Sequence, residues 1–505
     1  MEPRTTLRFK SMISILICAV LALGLSSEVA YGMELGPTGL NFSGEIEQTI
    51  DWFLTEGRLS LGITKYKLSL DQDLMRAGAG IDGHAYISVK GWYNHNASEG
   101  KWLELDEAYA DIYLNLFDLR IGRQLVSWGT AYGLNPTSYV NPLPSMTSLT
   151  QGGLTDLTGL PVPAVYVSAY PSWKDMSADV GMVLVLNPRL QGVPLPDEYQ
   201  AEILSGIGHG VLAGLQAPGA AEALAAAMLP LLPPEISGMP DIEDYLADAI
   251  RSAEVRLDSA EFSPELPKSF TDRLEFAGRA GMNFGMWDLY ISGFRGWEDA
   301  PVLWVETVPS LEFEPAIPFP ELDAYLDVYP KAVYRKATAL GASLSGTYGP
   351  YTFWGEGSYT WPDKVKELDT EGNAALSTNN SYLRAVVGAD RMFGSASEYY
   401  VMGQYIYNGS GSFFSPYRMP GEDAKSGHYL AAVGRATIHD DHQIEIMNIC
   451  NLRDESGLIV PRYTYKVNPM LSAWIGTTFL IGDEATEFRN LPMNKTVFTG
   501  AKVVW

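Results

Sequence analysis

Cysteine is almost missing from this chain: its 505 residues include only Cys18 and Cys450. No disulfide framework can hold the fold together. Long apolar runs are equally scarce. Hydrophobic residues make up 46% of the chain and the mean hydropathy is −0.03, values that do not fit a bundle of membrane-spanning helices, each of which needs about 20 consecutive apolar residues. Basic side chains are in deficit as well, with 35 Lys and Arg against 60 Asp and Glu and a formal charge of −25. Nucleic acid is therefore not an expected partner. The acidity suits a cation-attracting lumen or a surface bridged by divalent ions to lipopolysaccharide, and equally the plain solubility of an exported protein in transit.

What the N-terminus does contain is an export signal. Arg4, Arg8 and Lys10 form a positive start, Met12 to Leu25 an apolar stretch, and Ala30-Tyr31-Gly32 a small-x-small cleavage pattern. The pattern predicts a signal peptide over residues 1–32, cleaved before Met33. An uncleaved anchor fits less well, because the apolar stretch is short for a bilayer. Cys18 is not a lipidation site: Ile17 precedes it and it lies inside the apolar stretch. Cleavage removes a segment of net charge +1, leaving −26 on the remainder and Cys450 as its lone thiol.

Aromatic residues are plentiful at 11%, with 28 Tyr and 12 Trp. In a transmembrane β-barrel every second strand residue faces a polar interior while Tyr and Trp crowd the two membrane interfaces. Alternation of this kind recurs along the chain. Ala85, Ile87 and Val89 oppose Asp82, His84, Ser88 and Lys90, and Leu471, Ala473, Ile475, Phe479 and Ile481 oppose Ser472, Gly476 and Thr478. Small residues such as Ala fill a sandwich core poorly but cost little against lipid. Eighteen strands are predicted, near residues 39–52, 57–71, 80–94, 101–115, 118–129, 161–171, 177–187, 272–284, 286–297, 333–347, 350–362, 381–393, 397–408, 427–438, 441–453, 456–467, 469–482 and 494–505. Very short turns, such as Gly349-Pro350 and His439-Asp440, alternate with long connections at 130–160, 188–271, 298–332, 363–380 and 409–426. Short periplasmic turns and long outer loops alternate in this way in outer-membrane barrels, whereas a sandwich or propeller has no reason to gather its long loops at one end. The expected fold is thus all-β: a transmembrane antiparallel β-barrel of about 18 strands, bounded by 16–18, over residues 33–505. Both chain ends are expected in the periplasm.

The last strand has a face of Val497, Thr499, Ala501, Val503 and Trp505. Gly500, Val503 and Trp505 stand at the spacing of a Gly, an apolar residue and a terminal aromatic. This resembles the final strand of outer-membrane barrels, and the resemblance implies the barrel-assembly machinery as a partner; Phe498 stands where that pattern usually has a polar residue. One connection differs in kind. Residues 190–262 form a helical loop insertion rich in Ala, Leu and Pro, with one helix expected over Ala220 to Leu232. Another starts at Asp241 as N-cap, with Asp244 at the capping-box position and Ile242, Leu246, Ala249, Ile250 and Ala253 on one face. Such a stripe needs a surface to cover, and the expected one is the lumen or its mouth; an external cap is the alternative.

The sharpest motif is Leu119-Arg120-Ile121-Gly122-Arg123-Gln124, followed by Trp128-Gly129, Leu134-Asn135-Pro136-Thr137 and Asn141-Pro142. Over Leu105 to Pro142 the chain resembles the porin-like superfamily that includes alginate-export and related outer-membrane barrels, where a strand ending Gly-Arg-Gln leads to Trp-Gly and an Asn-Pro loop. The resemblance implies an outer-membrane barrel with a path through it, and a periplasmic or inner-membrane transport partner becomes an option. Physically, an Arg on the lipid face at mid-membrane costs roughly 2–4 kcal/mol. A tight turn at Leu116-Phe117 puts Arg120 beside Tyr113 inside and sends Arg123 toward lipid. A one-residue bulge instead brings Arg123 against Asp111 or Glu107; a position near the interface is the other solution. Glu107, Asp111, Arg120, Arg123, Gln124, Trp128 and Asn135 are the candidates for lining the pore or bracing the wall. No catalytic constellation stands out. His439-Asp440-Asp441-His442 suggests metal ligands, yet it falls on an expected tight turn where adjacent side chains diverge, and no metal or other cofactor is expected. The functions left are a diffusion channel for small polar solutes, a conduit for a lipid or other hydrophobic molecule, and a structural or adhesive barrel. Inward Lys90, Arg435 and Lys502 favour a wet lumen, while the apolar insertion favours a hydrophobic ligand.

Overall fold

The computed structural model describes residues 33–35, 39–54, 57–75, 82–95, 98–142, 159–173, 176–188, 219–232, 234–252, 254–257, 264–265, 269–299, 302–314, 321–363, 366–368, 374–376, 381–396, 398–411, 426–483, 486–489 and 496–505. The signal peptide expected over 1–32 lies outside the described residues. Eighteen strands build one closed antiparallel barrel: β1 (Leu40–Phe53), β2 (Arg58–Asp73), β3 (Gly83–Asn94), β4 (Glu99–Tyr113), β5 (Asp118–Gln124), β6 (Val162–Ala169), β7 (Met176–Val185), β8 (Glu275–Phe284), β9 (Trp287–Trp297), β10 (Lys336–Tyr348), β11 (Tyr351–Pro362), β12 (Tyr382–Phe393), β13 (Tyr399–Asn408), β14 (Gly427–Ile438), β15 (His442–Asn451), β16 (Ser456–Lys466), β17 (Leu471–Thr477, resuming as Phe479–Ile481) and β18 (Thr496–Val504). β18 pairs with β1 from Glu45↔Val504 to Phe53↔Thr496, which closes the wall and leaves no free edge. A short extra strand, Met33–Leu35, lies beside β1.

Each strand falls on one of the eighteen stretches expected from alternation. The main difference is at β5, expected to run to residue 129 but ending at Gln124. Val126 and Trp128 continue the apolar alternation, yet they are buried inside the barrel instead of extending its wall.

Alternation has its expected consequence on the outer face. Leu105, Ile121, Met182, Ile291, Leu340, Val387, Val401, Leu430, Ile446 and Ile475 are exposed around its middle. Aromatic rings border them, including Phe284, Tyr348, Phe393 and Tyr399 at one end and Trp52, Trp102, Phe276 and Trp361 at the other. This is the surface a bilayer requires. The first end carries the short connections, among them the turn in which His439 and Asp440 take left-handed conformations (φ 53° and 62°). The second end carries the long ones.

Two of those long connections depart from expectation. The stretch expected as a plain loop over 298–332 contains a β-hairpin, Val302–Glu314 paired with Glu321–Val333, joined by parallel strands Glu254–Leu257 and Pro264–Glu265 from the long connection 188–271. Pro309 and Pro330 sit inside the hairpin strands, and proline in a run argues against a strand in sequence reading. In the insertion, α1 (Ala220–Met228), α2 (Pro234–Ser237) and α3 (Ile242–Arg251) form, and α3 lies against the hairpin strand Glu321–Val333. Ala221, Ala225 and Met228 bury against Ile242, Leu246, Ala247 and Ile250. The apolar stripe expected to cover the lumen is packed within the insertion, and among the described residues its cluster contains no barrel residue. Asp241 does occupy the N-cap position of α3, but it is left-handed (φ 60°) and its side chain caps no amide.

Candidate functional site

A different segment enters the lumen. At the end of β5, Gln124 is buried and its Nε2 donates to the Ala164 carbonyl at 2.9 Å. Asn141 ties the two legs of the following excursion: its Oδ1 accepts from Val126 N at 2.7 Å, and its Nδ2 donates to the carbonyls of Gln124 (3.3 Å) and Leu160 (2.7 Å). Residues 125–142 run inward between these legs. Glu356, in the middle of β11, receives five hydrogen bonds from them, from Thr130 N (2.7 Å), Thr130 Oγ1 (3.5 Å), Ala131 N (3.1 Å), Thr137 N (2.7 Å) and Thr137 Oγ1 (2.7 Å). Gln404 on β13 accepts from Tyr132 N at 3.2 Å and donates to Tyr132 O at 2.7 Å, as a neighbouring strand would. β13 stands eight strands from β5 in a wall of eighteen, so the segment spans the lumen.

Its apolar side chains seat it on both sides. Val126, Trp128 and Val140 bury against Val162, Val183, Val185, Ala277 and Phe294 of β6–β9, with Tyr139 stacked on Phe294 at 5.4 Å. Leu134 buries on the opposite wall among Trp354, Val386, Met402 and Ile406. Two glycines make this approach possible. Gly129 has φ 101°, and a Cβ there would lie 2.8 Å from Glu356 Oε1; a Cβ at Gly341 would collide with the Tyr139 hydroxyl and Thr137. A second inward piece, residues 486–489, adds Phe488 to the same apolar wall, anchored by Glu487, which accepts from Tyr429 Oη (2.9 Å) and Asn451 Nδ2 (2.6 Å).

The inner face of β2–β5 is different in kind. Exposed Ile87, Leu105 and Ile121 point outward, so the alternating charged residues point inward. Asp106 holds two bases, Lys67 Nζ at 2.8 Å and Lys90 Nζ at 2.6 Å. Arg120 makes a two-point pair with Asp111 (2.6 and 2.9 Å) and lies over the Tyr109 ring at 4.2 Å. Further round, Lys502 pairs with Glu45 at 2.6 Å. On the far wall Arg435 pairs with Glu445 at 2.6 Å.

No bulge re-aims Arg123: β4 and β5 stay in regular register from Ala108↔Arg123 to Tyr113↔Asp118, and a bulge lies instead in the β3–β4 ladder, where Asp106 and Glu107 together oppose Ser88. Across the ladder Arg123 stands opposite Ala108. Its Nε donates to the Asp106 carbonyl at 2.7 Å and its Nη2 lies 3.6 Å from Glu104, both on β4. Glu107 accepts from Leu125 N at 3.2 Å, at the root of the inserted segment. Trp128 is buried with the Arg279 guanidinium 5.5 Å from its ring. Asn135 offers its carbonyl to Ser138 N at 3.2 Å.

At the chain end, Trp505 exchanges backbone hydrogen bonds of 3.0 Å with Gly44 and packs with Met470 and Val503. Gly500 makes room for the Trp474 ring. Phe498, at the usually polar position, fills the apolar lumen wall. His442 is engaged by aromatics, stacking on Tyr465 at 4.9 Å. Among the described residues no three His, Cys, Asp or Glu side chains gather as a metal site.

Sequence reading missed Glu356, Gln404, Asp106 and Glu104. Glu356 carried one signal: it is a mid-strand carboxylate whose register partners, Ser343 and Val386, offer no cation.

The fold is a closed antiparallel β-barrel of eighteen strands. No family model and no curated protein matches the chain. Among solved structures it is similar to the outer membrane channel DcaP of Acinetobacter baumannii, with 8% identity, 94% of this chain and 100% of that chain covered, and a TM-score of 0.40. It is also similar to OccK5 (OpdH) of Pseudomonas aeruginosa, with 8% identity, coverage of 92% and 96%, and a TM-score of 0.41. OmpF of Salmonella typhi gives 9% identity, coverage of 94% and 99%, and a TM-score of 0.37.

Proposed function

We propose that this chain is an outer-membrane channel for small polar solutes, narrowed by residues 125–142, with its short turns and both ends in the periplasm. The observation that carries this reading is the contrast across the lumen. The inserted segment has no charged residue and its Val126, Trp128, Leu134 and Val140 are buried against the walls it touches, whereas Lys67, Lys90 and Arg120 opposite stay about one-third exposed. Partly hydrated charges along one side support an aqueous path past the constriction. A hydrophobic conduit would need open apolar surface inside, and the apolar side chains of the two lumen clusters are buried. The resemblance to alginate-export and related barrels enters as part of this proposal, since the shared run Leu105 to Pro142 builds the inserted segment.

The test is conductance of the purified barrel in planar bilayers. Discrete steady steps are expected; a folded barrel that leaves the bilayer silent at every voltage overturns the reading.

A further inference from the structure

We infer that the path is lined for anions, and that Lys67 and Lys90 together form a subsite for a small carboxylate-bearing solute. This deepens the channel reading and rests on it. The chain's charge of −25 points the other way, toward cations, but what a solute meets depends on which charges reach the water. In the middle of the β2–β5 wall the acids stand behind the bases. Asp106, Asp111 and Glu104 side chains are 8%, 10% and 12% exposed, against 31%, 30% and 33% for Lys67, Lys90 and Arg120. Glu107, at 18%, lies 4.0 Å from Lys67 Nζ through one oxygen and is engaged by the Leu125 amide through the other. The arrangement has edges: Glu45 on β1 and Asp71 toward the turn end are open, at 40% and 32%.

The site itself is built by Asp106. Its Oδ1 takes Lys90 and its Oδ2 takes Lys67, with Ser88 Oγ at 3.5 Å from Oδ2. One planar carboxylate thus already spans the two ammonium groups from the wall side. Each ammonium has three N–H donors, so donors remain for a second carboxylate approaching from the lumen in the same two-oxygen geometry. Opposite lies the uncharged segment, which brings no carboxylate to cancel the positive face.

Reversal potentials in a KCl gradient at low ionic strength, where screening is weak, test this with the full-length barrel. Chloride is expected to permeate faster than potassium, and malonate is expected to reduce the chloride current. The variant K67Q/K90Q/D106N removes both ammoniums together with the carboxylate that holds them, so Asp106 is not left as a buried charge without its bases; Glu107, 4.0 Å from Lys67 Nζ, keeps its hydrogen bond from Leu125 N. It is expected to lower the chloride-to-potassium permeability ratio roughly threefold and to abolish the malonate effect. Heat-modifiable mobility on gels checks that it folds, and K67Q alone serves as the milder variant if it does not, with a smaller shift in the same direction. A potassium-selective wild-type pore, or a ratio and malonate effect unchanged in the folded variants, overturns the anion path while leaving the channel intact. A silent bilayer overturns both.

Discussion

The two sides of the lumen use their inward positions in opposite ways. On β6–β9 and β11–β18 many inward residues are apolar or uncharged, and they serve as a seat: Phe294, Val183, Trp354 and Ile406 are buried under residues 125–142. On β2–β5 the inward residues are paired charges left partly open to water. A barrel of 18 strands encloses more space than its wall side chains fill. The seated side removes part of that space and the charged side keeps the rest wet. Narrowing and lining of the path are therefore separate tasks, each assigned to its own stretch of wall.

If that division holds, changes on the seated side alter the size of the path and changes on the charged side alter its selectivity. The largest size effect is expected from Glu356→Ala. It removes the acceptor of five hydrogen bonds, and bonds to a charged group are worth about 1.5–3 kcal/mol each in mutational series. Release of the segment is expected to raise single-channel conductance roughly threefold or more, with selectivity moving little; equal conductance in a folded variant breaks the comparison. Gly341→Leu is milder. It drives a side chain into Tyr139 and Thr137, and overpacking of this kind typically costs about 1–3 kcal/mol. Partial displacement of the segment is expected, with noisy openings and a conductance gain below that of Glu356→Ala.

On the charged side, Asp111→Asn leaves Arg120 without its two-point partner. The chloride-to-potassium ratio is expected to rise, by less than about twofold at low salt and less again where the Debye length is about 10 Å or shorter. A change in conductance without a change in ratio contradicts the assignment. The smallest effect is expected from replacing Pro196 to Ser259 by a short Gly-Ser linker. The insertion packs on itself and on the Glu321–Val333 hairpin strand, and a loop excursion of this kind is removable without breaking the strands. Conductance is expected to stay within roughly a fifth of wild type. A severalfold rise restores the insertion to the role of plug.

The sequence by itself determined the wall. Each strand is announced by its own two-residue alternation and each turn by its own residues, as at Gly349-Pro350 and His439-Asp440, so eighteen strands and their order need no information from elsewhere in the chain. It also marked Arg120 as an inward residue near the β4–β5 turn, but set it beside Tyr113, whereas the ladder pairs it with Asp111. Only the tertiary structure decided what fills the lumen. Val126 and Trp128 look like more strand, and nothing near them in sequence names Glu356 or Gln404, more than 200 residues away. Those partners exist only once the barrel closes and sets β11 and β13 opposite β5. The same holds for the partners of Arg123, where one bulge at Asp106-Glu107 shifts the face of every residue beyond it. It holds too for the insertion, whose apolar stripe specified burial but not the surface that would provide it. Alternation is a property of neighbours along the chain, whereas a seat, an ion pair across strands and a constriction belong to neighbours in space.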